Sequence, residues 1–415
     1  MYKFIKAELT LNALSLLNVI SGFLFIIFFG QRFGFNESTD AYFSALTVLI
    51  ATLPLSQMTW EAITPFYISL RNKSENQSNN LYFYFLLAVV FVSIVVVLLY
   101  FLVKDYFSIG TNSYSDFFDI YVFFYIVKSV LLYNNVILNL NSFFHVQYIT
   151  DLTINTILLV GALLLPKSNY LIPLAYMIII TGVFAIFYQL YYISKTITNF
   201  RRKKINRKLL KVIFFKSVIL KSGSILYGMK DFIVMSFFLG LSEGLYSMYS
   251  FSYRLASALH RIASAPVLNI FITKINKVVA LKNHKIKGVV NHEIKHLLIK
   301  SLLLFLIGGV IVYLMIPLII NLANINSFPD GNSLFEKYFL FSFVHYLIIV
   351  IFFPYHHFII AIKKFSIIFN AHLLFILCFY LSFLISSNEI ELLFGLIFSQ
   401  LILGVYLMLS FKRYS

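Results

Sequence analysis

Leu81–Val103 reads LYFYFLLAVVFVSIVVVLLYFLV, and it holds no Lys, Arg, Asp or Glu. A helix needs about 20 mostly apolar residues to cross a bilayer. This stretch meets that length with no polar face left over for water. Backbone N–H and C=O groups in lipid must be satisfied within the segment, which makes it a helix. Strands of a membrane barrel would be shorter and would alternate in polarity, and this run does not.

Similar runs recur along the chain. Twelve spans are expected, at about 9–30, 41–66, 81–103, 118–140, 146–165, 170–194, 212–239, 244–273, 301–322, 338–359, 366–386 and 392–411. The run Leu9–Phe29 follows Lys3 and Lys6 like a secretory signal, but it is too long for a signal core and lacks a small-residue cleavage site, so it reads as the first span. The bulk composition agrees: 60% of residues are hydrophobic and 12% charged, where a soluble domain carries roughly a quarter charged. Tyr at span ends fits interfacial belts. The fold class is therefore an all-α polytopic membrane protein.

The net charge of +17 comes mainly from loops. With the N-terminus placed in the cytoplasm, 23 of the 33 Lys and Arg fall in cytoplasmic segments, 4 (Arg32, Lys104, Lys167, Lys337) fall outside, and 6 lie within spans. The positive-inside rule then puts both termini in the cytoplasm of a bacterial-type inner membrane. Losing one span would put the two richest loops on opposite sides. The same distribution argues against nucleic acid as a partner. The lone Cys378 lies in an apolar run and allows no disulfide within the chain.

The basic stretch at 195–211 separates six spans from six, giving an N-terminal lobe over 1–194 and a C-terminal lobe over 212–415. A weak repeat crosses this boundary. Glu37–Lys73 is ESTDAYFSALTVLIATLPLSQMTWEAITPFYISLRNK, and Glu243–Lys277 is EGLYSMYSFSYRLASALHRIASAPVLNIFITKINK. Each has an acidic turn, a small- and hydroxyl-rich span, a Pro with an aromatic, and a closing Asn-Lys. Parallel repeats of this kind build many secondary transporters, so two six-helix lobes with pseudo-twofold symmetry are expected. Chance similarity between two low-complexity segments is the plainer alternative.

Charge within a span is costly and usually faces a cavity or a partner. In the eighth span Ser247, Ser250, Arg254, Ser257, Arg261 and Ser264 recur at spacings of 3 and 4, which is one helix face. Arg254 falls roughly 15 Å below the outer end at helical rise. Serines alone would suit a helix–helix seam; two arginines on the same face point to a water-lined wall. Lys128 lies deep in the fourth span, and Lys216, Lys221 and Lys230 lie in the seventh. Lys216 sits near the cytoplasmic end, and Lys230 beside Asp231 reads equally well as a neutralised local pair. Asp40 stands at the mouth of the second span, where capping the helix is an equal alternative to lining a cavity. Proton or sodium coupling, if present, would use Asp151, Asp231 or Glu61. The cavity candidates are therefore Arg254, Arg261, Lys128, Lys221, Ser250, Ser257 and Asp40. An excess of cations suits an anionic, phosphate-bearing substrate.

His145, His260, His345, His356 and His357 show no metal-ligand spacing and read as packing or interfacial residues. No phosphate-binding loop or nucleotide fingerprint is present, so no nucleotide, metal or organic cofactor is expected, and energy would come from an ion gradient, membrane potential or substrate gradient.

Gly30-Gln31-Arg32-Phe33-Gly34-Phe35, Ser38-Thr39-Asp40-Ala41-Tyr42-Phe43 and the terminal Pro65-Phe66 together resemble the opening of the lipid II flippase family, within the multidrug/oligosaccharidyl-lipid/polysaccharide (MOP) exporter superfamily. Gly244–Lys277, with Tyr253-Arg254-Leu255, resembles the start of that family's second lobe. The specific match covers about seventy residues. Twelve spans look more like the shorter O-antigen translocases (Wzx-type), since lipid II flippases typically have fourteen.

The resemblance implies a V-shaped pair of six-helix lobes, alternating access and no enzymatic chemistry. It implies an undecaprenyl-pyrophosphate-linked oligosaccharide as substrate, with membrane lipid and the polysaccharide polymerase and chain-length machinery as candidate partners. It matches Asp40 to the family's Thr-Asp-Ala aspartate and Arg254 to its second-lobe cavity arginine. Val19 and Phe25 stand where lipid II flippases place arginines, and Ala51-Thr52 where a basic region is expected. Those departures favour a surface-polysaccharide repeat unit over peptidoglycan precursor. A small-molecule exporter is the second alternative, disfavoured by a cationic cavity. A polymerase or ligase is the third, disfavoured by short outward loops of about 15 residues near 104–117 and 323–337.

Overall fold

The computed structural model describes residues 2–60, 63, 67, 75–104, 115–141, 143–165, 171–195, 207–280, 286–325, 328, 330–362 and 364–414. Those residues form an all-helical structure. In chain order the helices are α1 Tyr2–Phe33, α2 Glu37–Gln57, α3 Glu75–Val103, α4 Ser115–Tyr121, α5 Phe124–Leu140, α6 Phe144–Leu164, α7 Ile172–Ser194, α8 Arg207–Leu239, α9 Leu245–Ala280, α10 Ile286–Leu322, α11 Gly331–Ala361, α12 Phe365–Ile385 and α13 Glu389–Tyr414.

Among the described residues, ten segments are long and apolar enough to cross a membrane, with α4 and α5 together forming one of them. The two further long helices are α8 and α9, of 33 and 36 residues. They hold Lys216, Lys221, Lys230 and Asp231, and Arg254 and Arg261, which lower their mean hydropathy. The protein is a multi-pass membrane protein.

The fourth span is two helices rather than one. Val122 and Phe123 form a turn closed by short-range bonds, Phe123 N–H to the Ile120 carbonyl at 3.2 Å and Tyr125 N–H to the Val122 carbonyl at 3.0 Å. Such i to i+3 bonding tightens the backbone without breaking the span. Pro54 lies inside α2, where it can give no N–H to the preceding turn. The helix ends three residues later, in a turn where Thr59 N–H reaches the Ser56 carbonyl at 3.2 Å.

The chain divides into two compact units, one of 1–33 and 37–225, the other of 34–36 and 226–415. In the first, α1 packs along α6, α5 packs on α3, α6 and α7, and α6 packs on α7. Its inner core joins Trp60, Tyr67, Tyr82, Phe85 and Tyr133. The Tyr82 and Tyr133 rings stack at 5.5 Å, 7° from parallel. The Tyr82 hydroxyl donates to Asn134 Oδ1 at 2.9 Å and the Tyr133 hydroxyl to the Tyr82 carbonyl at 2.9 Å. Gly182 of α7 meets Val127 and Phe124 so closely that a side chain there would overlap them. Lys195 closes α7 with its ammonium 4.2 Å from the Tyr191 ring and 5.1 Å from Tyr192, an arrangement suited to a membrane interface.

In the second unit α9 packs on α10 and α11, α11 on α13, and α12 on α13. Gly244, at φ +83°, lets α9 start beside the Phe35 backbone, where a Cβ would collide with the Phe35 carbonyl. Large apolar side chains outside both cores are open, Leu102 at 70% and Ile385 at 83% among them. Lipid solvates such surface at no cost, whereas water would not.

Candidate functional site

The site is built on α9, and the helix has three differently occupied faces. Tyr249, Tyr253 and His260 turn toward α11. The Tyr253 ring lies 5.1 Å from Tyr346 and 6.0 Å from His345, and the His260 ring lies 5.4 Å from Tyr346 and 5.8 Å from Phe353. Phe251, Leu255 and Ala256 are buried, with Phe251 against Phe335 at 5.4 Å. The third face is the polar stripe.

The structure divides that stripe. Ser247, Ser250 and Ser264 are buried, while Arg254 and Ser257 are half-buried and Arg261 is exposed. Ser247 donates to the Gly244 carbonyl at 2.9 Å and Ser264 to the His260 carbonyl at 2.6 Å, so both hydroxyls serve their own helix. The part not fully buried is Arg254–Ser257–Arg261, two arginines whose backbone positions lie two turns, or about 10 Å, apart along the axis. α9 contains no Asp or Glu. A planar guanidinium presents donors in a fork that matches phosphate oxygens in pairs. Two such groups flanking a serine form a strip suited to a diphosphate or polyanionic head group.

The other candidates from the sequence are placed as follows. Asp40 is 2% accessible, in the first turn of α2, where a carboxylate complements the helix dipole. Lys128 on α5 lies 3.6 Å from Asp151 Oδ1 on α6, with both side chains 28% accessible. That separation exceeds direct hydrogen-bond length. Lys221 is half-buried on α8. Asp231 contacts Lys230 at 2.5 Å. Glu61 lies outside the described residues. The structure thus gathers Ser250, Arg254, Ser257 and Arg261 on one helix, and pairs Lys128 with Asp151. Asp40, Lys128, Asp151 and Lys221 belong to the first unit; the α9 residues and Asp231 belong to the second.

Sequence reasoning missed what surrounds Lys230. Its ammonium lies 4.8 Å from the Tyr227 ring and 5.8 Å from the Tyr253 ring. Tyr227 was within reach of a pattern argument, because it stands three residues before Lys230 and shares its helix face. Tyr253 was not, since it comes from another helix. Among the described residues, no group of three His, Cys, Asp or Glu comes together to hold a metal ion.

No family model and no curated protein matches the chain. Solved structures do. A lipid II flippase MurJ in an inward closed conformation superimposes with a TM-score of 0.72 at 16% identity, over 97% of this chain and 87% of that one. An inward-facing multidrug-resistance MATE family transporter gives 0.68 at 10% identity, over 98% and 97%. A transporter from Pyrococcus furiosus, described as having a binding pocket of reverse polarity that suggests a different function, gives 0.65 at 11% identity, over 99% and 95%. The fold is that of the MOP-superfamily transporters. These similarities show the fold alone, and all three neighbours are transporters.

Proposed function

We propose that this protein is a flippase. It carries an undecaprenyl-pyrophosphate-linked oligosaccharide, an O-antigen or related surface-polysaccharide repeat unit, from the cytoplasmic to the periplasmic leaflet of a bacterial inner membrane. Both termini face the cytoplasm, and transport proceeds by alternating access without covalent chemistry. The observation that carries the reading is the basic face of α9, where half-buried Arg254 and Ser257 and exposed Arg261 lie on a helix with no acidic residue. The pyrophosphate would meet the two guanidinium groups while the lipid tail stays in the bilayer. A pyrophosphate would meet guanidinium groups with charge-assisted bonds.

A second reading, lipid II as the substrate, is favoured by the MurJ superposition at TM-score 0.72. The cationic face supports either lipid-linked pyrophosphate and disfavours the cationic compounds a multidrug exporter would carry.

Replacement of Arg254 and Arg261 by Ala, singly and together, with surface-glycan display and protein level both followed, tests the reading. Loss of display at normal protein level is expected, with the double variant the more severe. Normal display in the double variant would remove the role assigned to this face.

A further inference from the structure

Lys230 is 4% accessible, inside the second unit. Neighbouring residues on a helix point about 100° apart and do not ordinarily face each other. Lys230 and Asp231 nevertheless meet at 2.5 Å, so both side chains turn to one shared point. The Tyr227 and Tyr253 rings enclose that point at 4.8 and 5.8 Å from the ammonium. The rings are themselves fixed. The Tyr227 hydroxyl bonds Gln400 Oε1 of α13 at 3.0 Å, and its ring packs on His372 of α12 at 5.2 Å and Phe375 at 4.9 Å. Tyr253 rests on Tyr346 and His345 of α11.

One carboxylate and two aromatic faces within about 6 Å are the donor set of a chamber for a single monovalent cation. Here the chain supplies that cation itself. The first unit shows a looser version, with Asp151 paired to Lys128 at 3.6 Å. Two of the carboxylates that the sequence nominates for ion coupling therefore each have a lysine of the chain beside them.

We propose that Lys230 is a tethered cation filling a monovalent-cation chamber of the second unit, so that Asp231 binds no transported ion and the chamber accepts a free small ammonium only when the lysine side chain is removed. This inference goes beyond the transport reading and does not depend on which substrate is carried.

The test uses the purified full-length protein in lipid nanodiscs, with thermal unfolding followed in sodium, potassium and choline chloride at equal ionic strength. The wild type is expected to unfold at the same temperature in all three. Lys230→Ala, which takes the cation from a carboxylate that is 31% accessible and empties the space the buried lysine fills, is expected to fall by about 4–10 °C. Ethylammonium, which replaces the missing lysine tip, should restore at least half of that loss. It should have no effect on Lys230→Ala/Asp231→Asn, where the carboxylate is gone.

Wild-type stabilisation by sodium over choline would overturn the proposal, as would a Lys230→Ala protein indifferent to ethylammonium. If Lys230→Ala does not fold, Lys230→Met and Lys230→Met/Asp231→Asn decide. The double variant is expected within a few degrees of wild type and well above the single, and a double variant no better than the single overturns the proposal.

Discussion

Replacing Tyr82 by Phe removes one oxygen atom from the stacked pair at the centre of the first unit and leaves both rings in place. The Tyr82 hydroxyl is the donor to Asn134 Oδ1 at 2.9 Å. Asn134 is fully buried, and its amide nitrogen has no hydrogen-bond partner among the described residues. Tyr82→Phe therefore leaves an amide with neither end satisfied, in a core that water does not reach. Stranding a buried polar partner costs about 1–3 kcal/mol. At about 2–4 °C per kcal/mol for a unit of this size, a loss of about 2 kcal/mol lowers the unfolding midpoint by roughly 4–8 °C.

Removing both partners is cheaper than removing one. Tyr82→Phe/Asn134→Leu replaces the pair with apolar groups of similar shape, and such a replacement is close to neutral. The assay is thermal unfolding of the detergent-purified protein, monitored by size-exclusion of the remaining monodisperse fraction, for wild type, both singles and the double. The double is expected to recover most of the loss seen in Tyr82→Phe. A double variant as unstable as the sum of the two singles would refute the reasoning, and a silent Tyr82→Phe would do so more simply.

Three further outcomes follow from the packing. A side chain at Gly309 of α10 would overlap the Phe343 ring, which stacks on Phe305 at 4.7 Å; Gly309→Val is expected to cost about 1–3 kcal/mol and to lower the monodisperse yield. Gly244 sits at φ +83° with the Phe35 carbonyl in the path of any Cβ, so Gly244→Ala should destabilise by more than about 1 kcal/mol, read as a lower unfolding midpoint. Lys128→Met should leave Asp151 without its neighbour at 3.6 Å; because both side chains keep partial access to solvent, the loss is expected to stay under about 1 kcal/mol, and Lys128→Met/Asp151→Asn should unfold within a degree or two of wild type.

The spans were legible because the bilayer sets one length and one polarity for every crossing helix. Helices α8 and α9, which apolarity alone does not mark, were readable because the two most basic loops flank them and share a side only if both cross, and because the serines and arginines of α9 recur at spacings of 3 and 4. The break at Val122–Phe123 was not readable: no Pro or Gly stands there, and the turn shows only in the short-range bonds around it. The stripe on α9 was legible as a face, but period alone does not say which part of a face is open. Packing buried Ser247, Ser250 and Ser264, left Arg254 and Ser257 half-buried and left Arg261 exposed. Pairings between helices were hidden for the same reason. Lys128 and Asp151 lie 23 residues apart on different helices, and Tyr253 reaches Lys230 from a helix that sequence spacing cannot orient.

The most direct test of the central claim is reconstitution. The purified protein, placed in liposomes with an undecaprenyl-pyrophosphate-linked oligosaccharide in one leaflet, should accelerate arrival of the glycan in the other, as read by a membrane-impermeant glycosidase or lectin. Arg254→Ala/Arg261→Ala, reconstituted at equal density, should reduce that rate at least tenfold. Equal rates from the wild type, the double variant and protein-free liposomes would contradict the account.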